Sequence, residues 1–171
     1  MNNCTTRYKL SVPPRKMLEI GEMIVTHDPT SVDIFVGSCV GVVIYDTIRH
    51  NYALTHTIYP EYSERDMGKK RTFYVDSAIK DMISELRKLG SSVQDLKAKI
   101  IGGANMLPYL EPVGEKNVFT ARKTLEENKI PIVASDTGGT TRRKILPMDL
   151  EGRIKVVVRE KITYKDVEYF V

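Results

Sequence analysis

The clearest pattern in the chain is helical. Val75, Ala78, Ile79, Met82, Ile83, Leu86 and Leu89 recur at the three- and four-residue spacing of one helix face, and Gly90 stands where such a helix stops. A second stripe, Val118, Ala121, Arg122 and Leu125, predicts another helix over 115–128, with Asn128 near its end. The rest of the pattern is strand-like. Ile20-Gly21-Glu22 opens a short strand that the turn Asp28-Pro29-Thr30-Ser31 closes. Residues 32–45 are rich in β-branched side chains, which suits a buried strand, but Gly37-Ser38-Cys39 interrupts the run near its middle. Residues 46–51 read as a turn and 52–59 as the returning strand of a hairpin. A charged loop at 60–73 precedes the first helix. Short strands are predicted at 98–101, 131–135, 153–159 and 167–171.

Many short strands with two helices imply an α/β (α+β) fold of layered β-sheets flanked by helices. The strands do not alternate strictly with helices, which argues against a doubly wound parallel sheet. Residues 1–16 are polar and hold Pro13-Pro14, so they read as a flexible arm, with a single domain over 17–171. No internal repeat and no linker divides that span.

Composition narrows the classes. The chain has 171 residues, 42% hydrophobic and 28% charged, a balance that excludes disorder and fits one ordinary domain. No apolar run reaches the roughly 18–20 residues of a membrane span, and the first residues lack the apolar core of a secretory signal. Two cysteines, Cys4 and Cys39, make no disulfide framework, so a cytoplasmic protein is expected. The net charge of +4 is mild. Its densest clusters, Lys69-Lys70-Arg71 and Arg142-Arg143-Lys144, contain no interleaved aromatic residues and read as solvated loops rather than a nucleic-acid surface. There is no zinc spacing, P-loop or dinucleotide fingerprint. No cofactor or metal is expected, and any chemistry must come from ordinary side chains.

Cys39 is the first candidate. It follows Gly37-Ser38 inside an apolar run, where glycine weakens a strand but permits a sharp conformation that presents the next residue with its backbone N–H free. That geometry suits a nucleophile whose own amide helps to hold an oxyanion; the competing reading is a small buried hydrophobe. A thiol needs a base. Of His27, His50 and His56, the first two fall at turns, whereas His56 lies on the hairpin strand that returns past Cys39. Its bland alternative is a core imidazole satisfied by a carbonyl. Asp33, flanked by Val32 and Ile34, is out of character for a buried strand; it is either a third, orienting group or a carboxylate at a strand end. The glycine turns Gly102-Gly103-Ala104 and Thr137-Gly138-Gly139 suit a substrate rim as well as plain chain reversal. Cys4 lies in the arm and receives no role.

Taken together these residues resemble the chemoreceptor glutamine deamidases of chemotaxis, the CheD family. The resemblance runs from about Ile20 to about Gly152. It is carried by Gly37-Ser38-Cys39-Val40 with Tyr45-Asp46, His56 with Pro60 four residues on, Tyr74-x-Asp76, Lys99-x-x-Gly102-Gly103-Ala104, Gly114-x-x-Asn117 and Asp136-Thr137-Gly138-Gly139, in that order. It implies a nucleophile at Cys39, a base at His56, and a fold similar to the catalytic domain of deamidating bacterial toxins. It also implies glutamine side chains of methyl-accepting chemoreceptors as substrate and the CheC-type phosphatase as a partner. Asp33 departs from the family's threonine six residues before the cysteine; the aspartate either completes a Cys–His–Asp triad or turns to solvent. Tyr59 replaces a leucine and Lys116 an arginine. A non-catalytic adaptor, or another thiol acyl-transfer enzyme, is the rival reading, and the sequence leaves the oligomeric state open, a monomer being compatible with it.

Overall fold

The computed structural model describes residues 16–28, 32–106, 109, 111–149, 152–159 and 166–171. All but the last residue of the expected arm, and Cys4 with it, lie outside that set. Lys16 itself begins β1 (Lys16–Met17), followed by β2 (Met23–Thr26), β3 (Val32–Val36), β4 (Val40–Asp46) and β5 (Asn51–Thr57). Then come α1 (Val75–Lys88), β6 (Lys97–Gly102), α2 (Val113–Glu127), β7 (Ile132–Thr137), β8 (Arg143–Met148), β9 (Ile154–Arg159) and β10 (Asp166–Phe170). Two five-stranded sheets result, ordered β2-β5-β4-β6-β7 and β1-β3-β8-β9-β10. Both are mixed; among the described strands the parallel pairs are β6–β7 and β1–β3.

The layers follow from which side chains each strand sends to which face. Val42, Ile44, Ala53, Ala98 and Ile100 form one core with Ile79, Met82 and Leu86 of α1 and Leu125 of α2. Val43, Tyr45, Tyr52, Leu54 and Ile101, on the opposite faces of the same strands, form a second core with Ile34, Ile145, Ile154 and Val156 of the other sheet. The order is therefore helices, sheet, sheet. It explains why β4 has no polar alternation: all seven of its residues are buried because both faces are covered.

The strongest sequence pattern gives the firmest element. Along α1, Val75, Ala78, Ile79, Met82, Ile83 and Leu86 are buried. Each such large side chain contributes roughly 1.5–3 kcal/mol when fully removed from water. The helix closes with a Schellman motif: Gly90 N–H donates to Arg87 O at 2.9 Å and Ser91 N–H to Leu86 O at 3.0 Å. Gly90 takes φ +87, which a residue with a Cβ adopts at a cost. The β4–β5 hairpin is also as expected, its turn built by the Asp46 carboxylate, which accepts from Ile48 N and Arg49 N.

Three expectations need correcting. The run 32–45 is not one interrupted strand: β3 and β4 belong to different sheets, so the chain changes layer at Gly37-Ser38-Cys39. The stripe on α2 is turned from the expected one. Gly114, Asn117, Thr120, Ala121, Thr124 and Leu125 face inward and Arg122 is exposed. Finally, Arg142-Arg143-Lys144 is not a solvated loop. It enters β8, and Arg143 is buried against Asp136, with Nε–Oδ2 2.7 Å and Nη2–Oδ1 2.8 Å. Tyr169 Oη donates to the same carboxylate. Lys69-Lys70-Arg71 is the solvated cluster the sequence implied.

Candidate active site

The layer change at Gly37-Ser38-Cys39 is held by backbone bonds to the segment after β6. Gly103 N–H donates to Cys39 O at 2.8 Å and Ala104 N–H to Gly37 O at 2.7 Å. Two glycines allow this approach. A Cβ on Gly102, at φ +112, would lie 2.4 Å from Cys39 O, and one on Gly103 would lie 2.8 Å from Gly114 O in α2. The two glycine turns singled out in the sequence meet here, with Gly138 N–H on Gly102 O and Asn105 N–H on Gly139 O. Beside them is a cleft of about 360 Å³ lined by Ser38, Ala104, Asn105, Met106 and Gly114, among others.

Cys39 and His56 share one compartment. Cys39 belongs to the core between the sheets. His56 is in register opposite Gly41, two residues beyond Cys39, and alternates with Tyr52 and Leu54, which point into the same core. Thr57 Oγ1 donates to Val40 O at 3.0 Å and ties the two segments together. His27 and His50 are exposed and far from this chemistry, the His27 ring bonding the His50 carbonyl at the hairpin turn.

The ring of His56 is held by the backbone. Its Nδ1 lies 3.0 Å from Leu18 O. A carbonyl only accepts, so Nδ1 carries the proton and Nε2 is left as the basic nitrogen. Nε2 is buried, with no hydrogen-bond partner among the described residues. The strand end is clamped as well: Gly21 N–H donates to His56 O at 2.7 Å and His56 N–H to Glu22 O at 3.1 Å. The turn after β1, where the sequence implies only the opening of a strand, is thus part of the site.

Asp33 is not brought to the imidazole. Val32, Ile34 and Val36 fill the inter-sheet core, so Asp33 and Phe35 lie on the other face of β3. There Lys144 Nζ stands 3.4 Å from Asp33 Oδ2 and over the Phe35 ring. Of the two readings open for Asp33, the side chain takes neither the triad position nor solvent, and the group that holds the His56 ring is the Leu18 carbonyl. Position 33 acts through its backbone: Asp33 O accepts from Leu18 N at 2.9 Å, and Leu18 O in turn holds His56.

Burial sets the protonation states. Desolvation pushes the Cys39 thiol up, only partly offset by its own backbone amide. Desolvation pulls the His56 imidazole down, against the opposing effects of the Leu18 carbonyl and Glu19. Both groups are therefore neutral near pH 7 in the free site. Among the described residues there is no cluster of side chains able to hold a metal ion.

Sequence reading also passed over the role of Asn117, a buried polar residue of α2. Its Nδ2 donates to Ser38 O at 3.1 Å and to Ile58 O at 2.9 Å. Its place in the Gly114-x-x-Asn117 motif was the signal available for it.

Known proteins place the chain in context. A family model described as CheD chemotactic sensory transduction matches residues 59–158, a span that begins just after His56. The chain is 36% identical over 131 residues to the chemoreceptor glutamine deamidase CheD of Halalkalibacterium halodurans, covering 71% of this chain and 79% of that one. The protein of the same name from Thermotoga maritima is 35% identical over 133 residues, covering 77% and 83%. A probable chemoreceptor glutamine deamidase CheD of Haloarcula marismortui is 34% identical over 139 residues, covering 79% and 80%. Among solved structures, the Bacillus licheniformis hypothetical protein YfiH superposes in part, with a TM-score of 0.49 and 16% identity over 70% of this chain and 51% of the other.

Proposed function

The chain belongs to the CheD family, and from that premise we propose that it hydrolyses the side-chain amide of chemoreceptor glutamines to glutamate and ammonia, with Cys39 as nucleophile and His56 as base. The observation that carries this reading is the shared inter-sheet compartment of Cys39 and His56, with the imidazole oriented by Leu18 O and Nε2 left without a partner.

Both groups start neutral. As Sγ attacks the substrate carboxamide carbon, His56 Nε2 takes the thiol proton, and the carbonyl oxygen becomes an oxyanion that accepts from the Cys39 N–H. The imidazolium, fixed through Nδ1–H to Leu18 O, returns that proton to the leaving nitrogen, and ammonia departs from a thioester. Water then adds to the thioester carbon while Nε2 accepts its proton. The tetrahedral adduct expels the sulfur, which regains a proton from the imidazolium, and glutamate is released. Holding the imidazole through a carbonyl fixes its tautomer without placing a second charge in the buried compartment.

The substrates in this reading are cytoplasmic domains of methyl-accepting chemoreceptors, and a CheC-type phosphatase is the further partner. The protein is proposed to act in the cytoplasm. No described helix is long and apolar enough to cross a membrane. The test is ammonia release together with a mass gain of about 1 Da per modified glutamine on a purified receptor cytoplasmic domain, comparing wild type with Cys39→Ala. The proposal expects turnover only with the thiol present. Equal release from Cys39→Ala, or none from folded wild type on its cognate receptor, overturns it.

A further inference from the structure

Four features converge on Asn117. First, it stands in the second turn of α2 and is fully buried. Second, both hydrogens of its carboxamide are used on carbonyls from two separate chain segments. Ser38 O, at 3.1 Å, belongs to the residue just before Cys39, and Ile58 O, at 2.9 Å, lies two residues past His56. One planar group therefore spans the nucleophile's bend and the strand end that carries the base.

Third, α2 is itself fixed against the same bend. A Cβ on Gly114 would lie 2.5 Å from Gly103 O, and Gly103 N–H holds Cys39 O at 2.8 Å. The carboxamide thus projects from a stationary support. Fourth, Asn117 Oδ1 is buried with no hydrogen-bond partner among the described residues. Buried acceptors without partners are uncommon because desolvation costs free energy that nothing returns. A residue needed only to fill this volume would be better served by an apolar side chain of similar size. The two donated bonds are what the orphan acceptor accompanies.

We propose that Asn117 is a positioning residue for the thiol chemistry, its two donated hydrogen bonds setting the distance and angle between the Cys39 bend and the His56 strand. The proposal deepens the deamidase reading and rests on it for its kinetic test. Aspartate is the informative replacement, because it keeps the shape of the side chain and, when ionised, donates nothing to either carbonyl. A misplacement near 1 Å is enough to lower a rate by about a hundredfold.

The experiment uses the full chain in a Cys4→Ser background, so that Cys39 is the only thiol, and compares Asn117→Asp and Asn117→Ala with Leu125→Ala. Leu125 is buried on the same helix, in the helix-side core and not in the one that holds Cys39, so its variant reports general destabilisation. Deamidation and the rate of iodoacetamide alkylation of Cys39 are measured well below each melting temperature. The expected result is a fall in kcat of about a hundredfold in both Asn117 variants with KM within about twofold. The same variants should alkylate at least about fivefold faster, because the loosened bend exposes the thiol. Leu125→Ala should melt lower yet alkylate as the parent does. Parental kcat in the Asn117 variants, or faster alkylation of equal size in Leu125→Ala, overturns the proposal. If the parent releases no ammonia, the deamidase reading fails by itself, and the alkylation comparison alone decides the role of Asn117. If Asn117→Ala does not fold, the isosteric Asn117→Asp carries the test.

Discussion

Replacing Asp136 with asparagine should destabilise the fold by about 2–4 kcal/mol at pH 7, somewhat below the roughly 3–5 kcal/mol for breaking one side of a fully buried ion pair. Asp136 ends the first sheet on β7, while Arg143 and Tyr169 come from β8 and β10 of the second, so this cluster bonds one sheet to the other. The pair is bidentate, at 2.7 and 2.8 Å, with side chains 11% exposed for Arg143 and 19% for Asp136. Residual exposure places the estimate below that for a fully desolvated pair. In the variant the guanidinium keeps Gly138 O and Thr141 O but loses its counter-charge. For a chain of this length the melting temperature should drop by about 5–15 °C. Urea unfolding at fixed pH measures the difference directly.

Its pH dependence supplies a second check. Burial alone would raise the Asp136 carboxyl, but the hydrogen bonds from Arg143 and Tyr169 and the Arg143 charge outweigh it and hold the group below its ordinary value. A depressed carboxyl contributes stability above its unfolded value near ~3.9 and loses it as the pH falls through the folded one. The gap between wild type and Asp136→Asn should therefore narrow by about 1 kcal/mol between pH 5 and pH 3. A gap under about 1 kcal/mol at pH 7, or one that stays constant down to pH 3, refutes this account of the cluster.

Other consequences are as direct. Gly102→Ala places a Cβ 2.4 Å from Cys39 O at φ +112; it should lower stability by about 1–3 kcal/mol and kcat by about a hundredfold, read by thermal melts and ammonia release. Asp33→Asn should retain kcat within about threefold, because Leu18 O rather than the Asp33 side chain holds His56; a loss beyond tenfold would restore the carboxylate as orienter. In a Cys4→Ser background, the pH profile of Cys39 alkylation should have its midpoint above the usual thiol value of about 8.5, and a midpoint at or below 7 would mean a preformed thiolate–imidazolium pair.

How far the sequence reached depends on which physical signal each element carries. Helix α1 and the β4–β5 hairpin were legible because one obeys a single amphipathic period and the other ends in an Asp46-built turn. Strand β8 was not: its first residues are Arg143 and Lys144, and charge reads as solvent unless the partner carboxylate, seven residues earlier on another sheet, is already known. Cys39 and His56 face the same inter-sheet compartment because hairpin register brings position 56 opposite Gly41, two residues past the cysteine. Asp33 misled for a topological reason. Six residues before the cysteine on one continuous strand would put it on the same face as Cys39, roughly 20 Å along the strand, but the chain leaves that sheet at the bend, and the face of β3 that Asp33 occupies points away from the compartment. The carbonyl that orients His56 has no sequence signature at all, since every residue has one.

The contact between Gly103 and Gly114 has a consequence for how this protein can change over time. Each glycine leaves room for the other's carbonyl: a methyl group at 103 would meet Gly114 O at 2.8 Å, and one at 114 would meet Gly103 O at 2.5 Å. Most tight pairs in a protein can drift together, a larger residue on one side being relieved by a smaller one opposite. No residue is smaller than glycine, so this pair has no such partner substitution in either direction. Revertants selected from a Gly103→Ala or Gly114→Ala strain should therefore restore glycine, or alter the helix and turn that carry the two backbones, and never map to the facing position.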